Sequence, residues 1–351
     1  MKIAVVGAGA IGRVHMRVIQ AHPQCELSAV VDPTETAQNL CLSLNVSYFQ
    51  SLENLLSQSR PDGIILATPN ALHVSQALQC LDAGVAVLVE KPIAHTVNDA
   101  QRLVNVTQSK TSSEEAKVLI GHHRAHSPIM AKAKAVIEAG RLGRLVSVMG
   151  SALFYKPDHY FTVAPWRTVQ GGGPILINLI HEIHNLRMLC GDIVEVQAMS
   201  SNAVRGFEVE DTAAINFRFA SGMLGTFLVS DTSASAKSWE QTSQENKDYP
   251  SYGDEDCYVI AGTMGSLSIP TMRLKTYRGV EDRSWFQPFD SDTLELQRTD
   301  PLMLQLEHFR QVIQGQAKPL VSALDGLHNL QVVEAIASAI KTQQAIRLVL
   351  A

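Results

Sequence analysis

Ile3-Ala4-Val5-Val6-Gly7-Ala8-Gly9-Ala10-Ile11-Gly12, running on through the helix-like segment to Ala21, decides the fold of the first third of the chain. Four apolar residues rich in Val and Ile read as a buried strand, the glycines as a turn, and Ile11–Ala21 as a helix. Each glycine has a mechanical task. Gly7 permits the tight turn, Gly9 lets a pyrophosphate approach the backbone, and Gly12 allows close helix–strand packing. Phosphates would then lie at the helix N-terminus, beside Ala10 and Ile11, where free N–H groups and the helix dipole favour negative charge. Asp32 ends the next apolar run, 20 residues after Gly12. A carboxylate there accepts from ribose hydroxyls and repels a 2′-phosphate, and Pro33-Thr34-Glu35 supplies no arginine to receive one. The pattern therefore predicts NAD rather than NADP. The plainer alternative is a glycine-rich turn with no ligand and a solvated Asp32.

Working outward, short apolar runs alternate with helical segments up to residue 122. Ile3–Val6, Leu27–Val31, Ile64–Ala67, Val85–Val89 and Val118–Ile120, with a weaker run at Val46–Phe49, suit strands of a parallel sheet buried on both faces. Ile11–Ala21, Leu72–Ala83 and Thr96–Gln108 have helical length and spacing. Such alternation defines an α/β doubly wound Rossmann domain over 1–122. From 123 to 351 the pattern changes. Leu145–Phe154, Ile193–Ser200, Thr212–Ala220, Gly222–Ser230, Tyr258–Ala261 and Met272–Tyr277 read as strands with little helix between them. Ala220-Ser221-Gly222 and Gly262-Thr263-Met264-Gly265 read as hairpin turns. The second half is thus expected to be an α+β domain with a mostly antiparallel open sheet, carrying helices at Pro174–Leu189 and about Ala323–Lys341. The polar segment Lys237–Asp256 reads as a lid or a mobile loop.

Bulk properties narrow the function. The 351 residues are 46% hydrophobic and 18% charged, with a net charge of −5, enough apolar material for more than one core and no basic run for nucleic acid. Cys25, Cys41, Cys80, Cys190 and Cys257 are scattered without a C-x-x-C pair, which predicts free thiols in a reducing compartment. The N-terminus enters a strand at once, and no apolar stretch approaches the ~20 residues of a membrane span. A cytoplasmic protein with a small-molecule substrate is expected.

Three further segments make the chain resemble the glucose–fructose oxidoreductase, inositol dehydrogenase and rhizopine catabolism (Gfo/Idh/MocA) family. Thr68-Pro69-Asn70 with His73 follows the fourth strand, and Glu90-Lys91-Pro92 follows the fifth. Gly171-Gly172-Gly173 leads into the helix carrying His181. The resemblance spans essentially the whole chain. It implies that Lys91 reaches the nicotinamide and the substrate, and that His181 accepts the proton. Thr68, Asn70, His73 and Glu90 are implied on the cofactor side, as are Trp166-Arg167, a pair that folds over the cofactor. His123 and Arg124 are implied at the cleft mouth, near nicotinamide or substrate. The residues agree in part: Lys91 lies just past the carboxyl end of a strand, the edge where α/β sheets bind ligands. A cis Lys91–Pro92 bond would fix its direction. Plainer readings are a surface lysine, an interface histidine and a cation–π pair of no catalytic interest.

Asn178, His181 and Asn185 fall at i, i+3 and i+7 and are expected to share one polar helix face, with Ile175, Leu179, Ile183, Leu186 and Met188 towards the sheet. Two departures from the family pattern stand out: Ile177 and His184 occupy places where relatives often carry aspartate. Asn178 is the nearest polar substitute and could bond a substrate hydroxyl. Tyr160 and Trp239 are candidates for a sugar-binding wall, or equally for core or interface. No metal is expected: neighbouring histidines at 122 and 123 on a strand would point apart, and His181 and His184 lack an evident third ligand.

The resemblance implies an NAD-dependent oxidoreductase that moves hydride reversibly between a secondary alcohol of a sugar, polyol or related molecule and nicotinamide. His181 would be the base and Lys91 the polarising cation. A dinucleotide-sensing regulator and an NAD-dependent glycoside hydrolase are the alternatives. A homodimer or homotetramer through the C-terminal sheet is expected.

Overall fold

The computed structural model describes residues 1–109 and 117–349. The chain forms two compact units, Met1–His126 with Pro301–Leu330, and Ser127–Asp300 with Gln331–Ala351. A single cut at 122/123 therefore differs from the observed division, because a late segment returns to the first unit.

In that unit β1 (Lys2–Val6), β2 (Glu26–Val31), β3 (Ser47–Phe49), β4 (Gly63–Leu66), β5 (Ala86–Glu90) and β6 (Val118–Gly121) form one sheet in the order β3-β2-β1-β4-β5-β6. Every pair is parallel. Helices α1 (Ala10–Ala21), α2 (Glu35–Leu44), α3 (Leu52–Gln58), α4 (Asn70–Asp82) and α5 (Val97–Ser109) connect the strands up to β6. Chain order reverses between β1 and β4, and such a switch point opens a crevice at the strands' carboxyl ends.

The tight fit at that point explains the glycines. Gly7 has φ +99°, and a Cβ there would lie 2.5 Å from the Ala67 carbonyl oxygen. A Cβ on Gly12 would lie 1.9 Å from the Gly7 carbonyl oxygen, so α1 can sit this close to the turn only with glycine. A Cβ on Gly9 would meet nothing within 4 Å. The protein's own packing gives Gly9 no reason to be glycine; a ligand lying against the backbone would.

The histidine pair at 122 and 123 falls outside the last strand. β6 stops at Gly121, and His123–His126 form a 3-10 turn rather than strand. The alternation argument for neighbouring histidines thus does not apply to this pair.

The second unit opens with α6 (Pro128–Glu138) and is built on β7 (Leu145–Leu153), α7 (Asp158–Thr162), α8 (Ile180–Cys190), β8 (Ile193–Ser201), β9 (Thr212–Phe219), β10 (Leu224–Ser230), α9 (Trp239–Thr242), β11 (Tyr258–Gly262), β12 (Gly265–Ile269), β13 (Arg273–Thr276) and β14 (Asp290–Thr293). With β15 (Ile346–Arg347) these strands make a nine-stranded sheet, β14-β13-β12-β11-β7-β10-β9-β8-β15. Among the described residues of this sheet only β7 and β10 pair in parallel. Strict alternation in β9 and β10 puts Ala213, Ile215, Phe217, Phe219, Phe227 and Val229 into a core shared with Ile129, Met130, Ile180, Ile183 and Leu186 of α6 and α8.

Two expectations change here. The helix expected from Pro174 begins as a π-helical turn, Ile175–Leu179, before α8 proper. The start of Lys237–Asp256 is not a lid: Trp239 and Thr242 are buried, and buried Glu245 accepts from the Trp239 indole at 3.0 Å and from the Ser127 hydroxyl.

After β14 the chain returns to the first unit through α10 (Pro301–Ile313), whose Leu306 and Phe309 are buried, and α11 (Ala323–Thr342) follows. Val321 accepts a hydrogen bond from the Ile120 amide beside β6. The sequence signal for α10 was Pro301 at a helix start followed by apolar residues at helical spacing.

A direct check separates fit from function in the glycine turn. Gly12→Ala should unfold the first unit or lower the melting temperature by at least about 6 °C, the equivalent of roughly 2–3 kcal/mol. Gly9→Ala should melt within about 2 °C of the parent yet bind NAD at least about tenfold more weakly by calorimetry.

Candidate active site

Most of the residues expected on the cofactor side, Trp166 and Arg167 apart, lie in the first unit. Gly9 caps α1 without a side chain, and the first turn of α1 carries no acid, so its leading N–H groups remain available to an anion. Arg13 Nε donates to the Ala8 carbonyl at 3.0 Å, tying the turn to the helix it opens. Asp32 accepts from the Ala8 amide at 2.8 Å through one oxygen, and from the Thr34 amide at 3.0 Å and hydroxyl at 2.5 Å through the other. Burial pushes the Asp32 pKa up, but the Thr34 and Ala8 hydrogen bonds and the nearby Arg13 outweigh it and leave the group below its ordinary value. Asp32 is therefore ionised at neutral pH, as a ribose acceptor that repels a 2′-phosphate must be. These residues fit a non-phosphorylated dinucleotide such as NAD.

Two loops at the sheet's carboxyl edge are fastened together by His73. Its Nδ1 lies 2.8 Å from the Pro92 carbonyl and its Nε2 2.8 Å from the Thr68 carbonyl. His73 is 1% exposed, and burial holds its pKa below the usual histidine value despite both carbonyls. This engagement makes it a brace between the loops. Thr68 donates to Gln76 Oε1 at 2.7 Å, and half-buried Asn70 opens α4.

Glu90 likewise points into the unit. Its Oε1 lies 2.7 Å from His15 Nε2 on α1, and its Oε2 accepts the Lys91 amide at 3.1 Å. Desolvation raises the Glu90 pKa, but the His15 hydrogen bond and charge, with Lys91 and His123 further off, bring it below the ordinary value. Lys91 is half-buried, and the Lys91–Pro92 peptide is cis, as anticipated. His123 is half-buried too, whereas Arg124 is buried within the 3-10 turn. His122 Nε2 lies 3.1 Å from Asn329 Nδ2.

The second unit carries the remaining candidates. Trp166 is exposed, while Arg167 folds back within its own unit, its guanidinium 3.7 Å above the Tyr160 ring and its Nη1 donating to the Tyr160 carbonyl at 2.6 Å. The Gly-Gly-Gly turn packs on this pair: a Cβ on Gly172 would lie 2.4 Å from the Trp166 carbonyl oxygen. Glu210 Oε1 then accepts the Ile175 amide at 2.9 Å at the start of the π-helical turn.

His181, 6% exposed, lies in the first turn of α8 with buried Glu182 and His184. The single polar face expected of Asn178, His181 and Asn185 is divided. Asn178 sits inside the π-helical turn, where 3.6-residue spacing fails, and accepts from Lys156 Nζ at 2.7 Å. Asn185 is fully buried and donates to the Tyr258 hydroxyl at 3.1 Å, which in turn donates to Glu182. Trp239, a candidate sugar wall, is a core residue with its ring 5.9 Å from that of Tyr258. Lys156 is the polar residue missed by the sequence reading. Nothing in Phe154-Tyr155-Lys156-Pro157 announces a buried ammonium.

A doubly wound sheet with an open helix N-terminus at its switch point, an ionised carboxylate ending β2 and a braced lysine after β5 defines a dinucleotide-dependent oxidoreductase. Comparison with known proteins makes the assignment specific. Residues 1–113 match the model described as oxidoreductase family, NAD-binding Rossmann fold, and residues 130–268 match the GFO/IDH/MocA C-terminal domain. The chain belongs to the Gfo/Idh/MocA family and is an NAD-dependent oxidoreductase.

It is 28% identical over 299 residues to 1,5-anhydro-D-fructose reductase of Ensifer adhaerens, covering 84% of this chain and 82% of that protein. It is 24% identical over 349 residues to scyllo-inositol 2-dehydrogenase (NAD(+)) of Bacillus subtilis, covering 95% and 92%. The crystal structure of the WlbA dehydrogenase from Bordetella pertussis with NADH and UDP-GlcNAcA superposes with a TM-score of 0.78 at 24% identity, over 100% of this chain and 99% of that one, a likeness of fold.

The Glu90–His15 pair makes a prediction about stability. The depressed Glu90 pKa means its stabilisation is complete above the unfolded value of 4.5 and is lost as pH falls through the lower folded value. Glu90→Gln should cost about 1–3 kcal/mol at pH 7. The gap in melting temperature between variant and parent should narrow as the pH is lowered from 7 to 3; a constant gap would show that Glu90 is not ionised in the fold.

Proposed function

We propose that the protein reversibly oxidises a secondary alcohol of a sugar, polyol or related small molecule. The observation that carries this reading is the placement of Lys91 at the carboxyl end of β5, its amide held by a buried Glu90 that is itself fixed by His15. Names of relatives support the substrate class, one a reductase of an anhydro-sugar and another an inositol dehydrogenase.

Gly7, Gly9, Ala10, Ile11 and Gly12 would hold NAD at its phosphates and Asp32 at its ribose, and the cofactor would supply the hydride acceptor. His181 accepts the hydroxyl proton, a task suited to an imidazole near neutral pH. Lys91 polarises the same oxygen and stabilises the negative charge that develops on it. Asn178, His123, Arg124 and Tyr160 orient the substrate. His73 acts at one remove, by bracing the loops on either side of Lys91.

The protein works as a homo-oligomer through the outer face of the second sheet. Cross-strand rows on that face read Met199-Ala214-Leu228-Ser151 and Gln197-Asn216-Thr226-Met149-Val259-Ser268, all uncharged. Met149 and Met199 are 60% and 71% exposed, an apolar display in keeping with a covered surface. No two of the five cysteines are joined by a disulfide, in keeping with a reducing, cytoplasmic setting. Among the described residues no helix is long and apolar enough to cross a membrane.

Absorbance at 340 nm during a screen of polyols, aldoses and inositols with NAD tests the reaction. Lys91→Ala and His181→Ala should each lower turnover by about 10²–10⁴-fold while NAD affinity stays within about threefold. Normal turnover in both variants would sink the assignment, and release of a glycone without NADH would mark a hydrolase. Light scattering tests the assembly: the parent should run as a dimer or tetramer, and Met199→Asp with Leu228→Asp should shift it to monomer.

A further inference from the structure

The second unit holds a buried ammonium for which alcohol oxidation alone has no task. Lys156 follows β7, and its main chain is fixed on both sides: its amide donates to the Asp231 carbonyl at 2.9 Å, and its carbonyl accepts from Arg205 Nη2 at 2.8 Å. Its Nζ donates to Asn178 Oδ1 at 2.7 Å and lies 4.9 Å from the centre of the Tyr160 ring. The side chain is buried but for 11% of its surface. Asp231 is 3.7 Å away, but its carboxylate is already engaged by Arg205 Nε at 2.8 Å. Lys156 and Arg205 thus share one carboxylate between them.

The contact with Asn178 has a consequence for recognition. An ammonium carries donors only, so the amide must turn its oxygen to Lys156. Its other end, Nδ2, makes no hydrogen bond among the described residues. Ammonium and amide together thus offer donors and no acceptor. A hydroxyl can serve either partner type, but a carboxylate, which only accepts, matches a donor-only pair and gains charge-assisted bonds from it.

We propose that Lys156 and Asn178 form a carboxylate-binding subsite and that the physiological substrate is an acidic sugar or polyol. This rests on the alcohol-oxidation reading and narrows its substrate class.

The charge balance supports it. Burial, with Arg167 and Arg205, lowers the Lys156 pKa to about 8 although Asp231 pulls the other way. The groups that bear on the ammonium are Asp231 after β10, Arg205 after β8, Tyr160 in α7, Arg167 between α7 and the glycine turn, and Glu210 before β9, whose own pKa burial raises. A bound carboxylate relieves the surplus of positive charge, and its binding weakens as pH rises past the lysine's pKa.

Calorimetry on the NAD-loaded protein tests this with D-glucuronate, D-galacturonate and D-gluconate against D-glucose, D-galactose and D-glucitol. At pH 7 the best acid should bind at least about tenfold tighter than its neutral counterpart, and the ratio should fall at pH 9. Lys156→Met should bring it within about threefold. Asn178→Asp, which keeps the lysine's partner and hence the fold, should reverse the preference by setting a carboxylate against the ligand. Equal binding of acids and neutrals, failure of every probe to bind, or a preference that survives both variants would overturn the subsite. NADH production from neutral sugars without acid preference would discard it and retain the dehydrogenase. Tight acid binding with no NADH from any probe would do the reverse.

Discussion

The carbonyl oxygen of Gly7 occupies the space that a Cβ at position 12 would need, and the first unit is organised around that contact. Because the turn and the helix touch there, α1 starts directly at the switch point between β1 and β4, with its N–H groups turned to the strand ends. The Ala8 amide in the same turn donates to Asp32, so the turn's backbone and the carboxylate proposed to take the ribose are tied by one hydrogen bond. One close approach thus sets the turn, the helix start and the carboxylate after β2 relative to one another.

The same helix reaches the chemistry through its side chains. His15, one turn into α1, meets Glu90, and Glu90 holds the Lys91 amide. A buried carboxylate–imidazole pair without its hydrogen bonds would be costly, so the pair specifies a single arrangement of α1 against β5. His73 performs a parallel task between the loops after β4 and β5. Glu90 and His73, which the family likeness suggests as ligand contacts, are here braces of the loops around Lys91.

The first unit was largely legible because its signals are local. A strand, a glycine turn and a helix lie adjacent in sequence, and fully buried parallel strands leave unbroken apolar runs such as Ile64–Ala67. What was hidden is what depends on tertiary contact. The return of α10 to the first unit is a matter of where Phe309 is buried, which periodicity does not encode. The π-helical turn at Ile175–Leu179 breaks the spacing that had put Asn178 and Asn185 on one face. Trp239 looked like a ligand wall because an aromatic in a polar segment carries no mark of its burial. Lys156 went unseen for the opposite reason: a lysine beside a proline reads as surface until Asn178 and Asp231 are found around it.

Choice of dinucleotide turns on whether the glycine turn and ionised Asp32 together take up NAD. Calorimetric titration of the unmodified protein with NAD and then NADP tests it most directly. NAD should bind at least about tenfold tighter, because the 2′-phosphate of NADP would be brought against a carboxylate whose charge the fold stabilises. Equal affinity for the two, or tighter binding of NADP, would contradict the account.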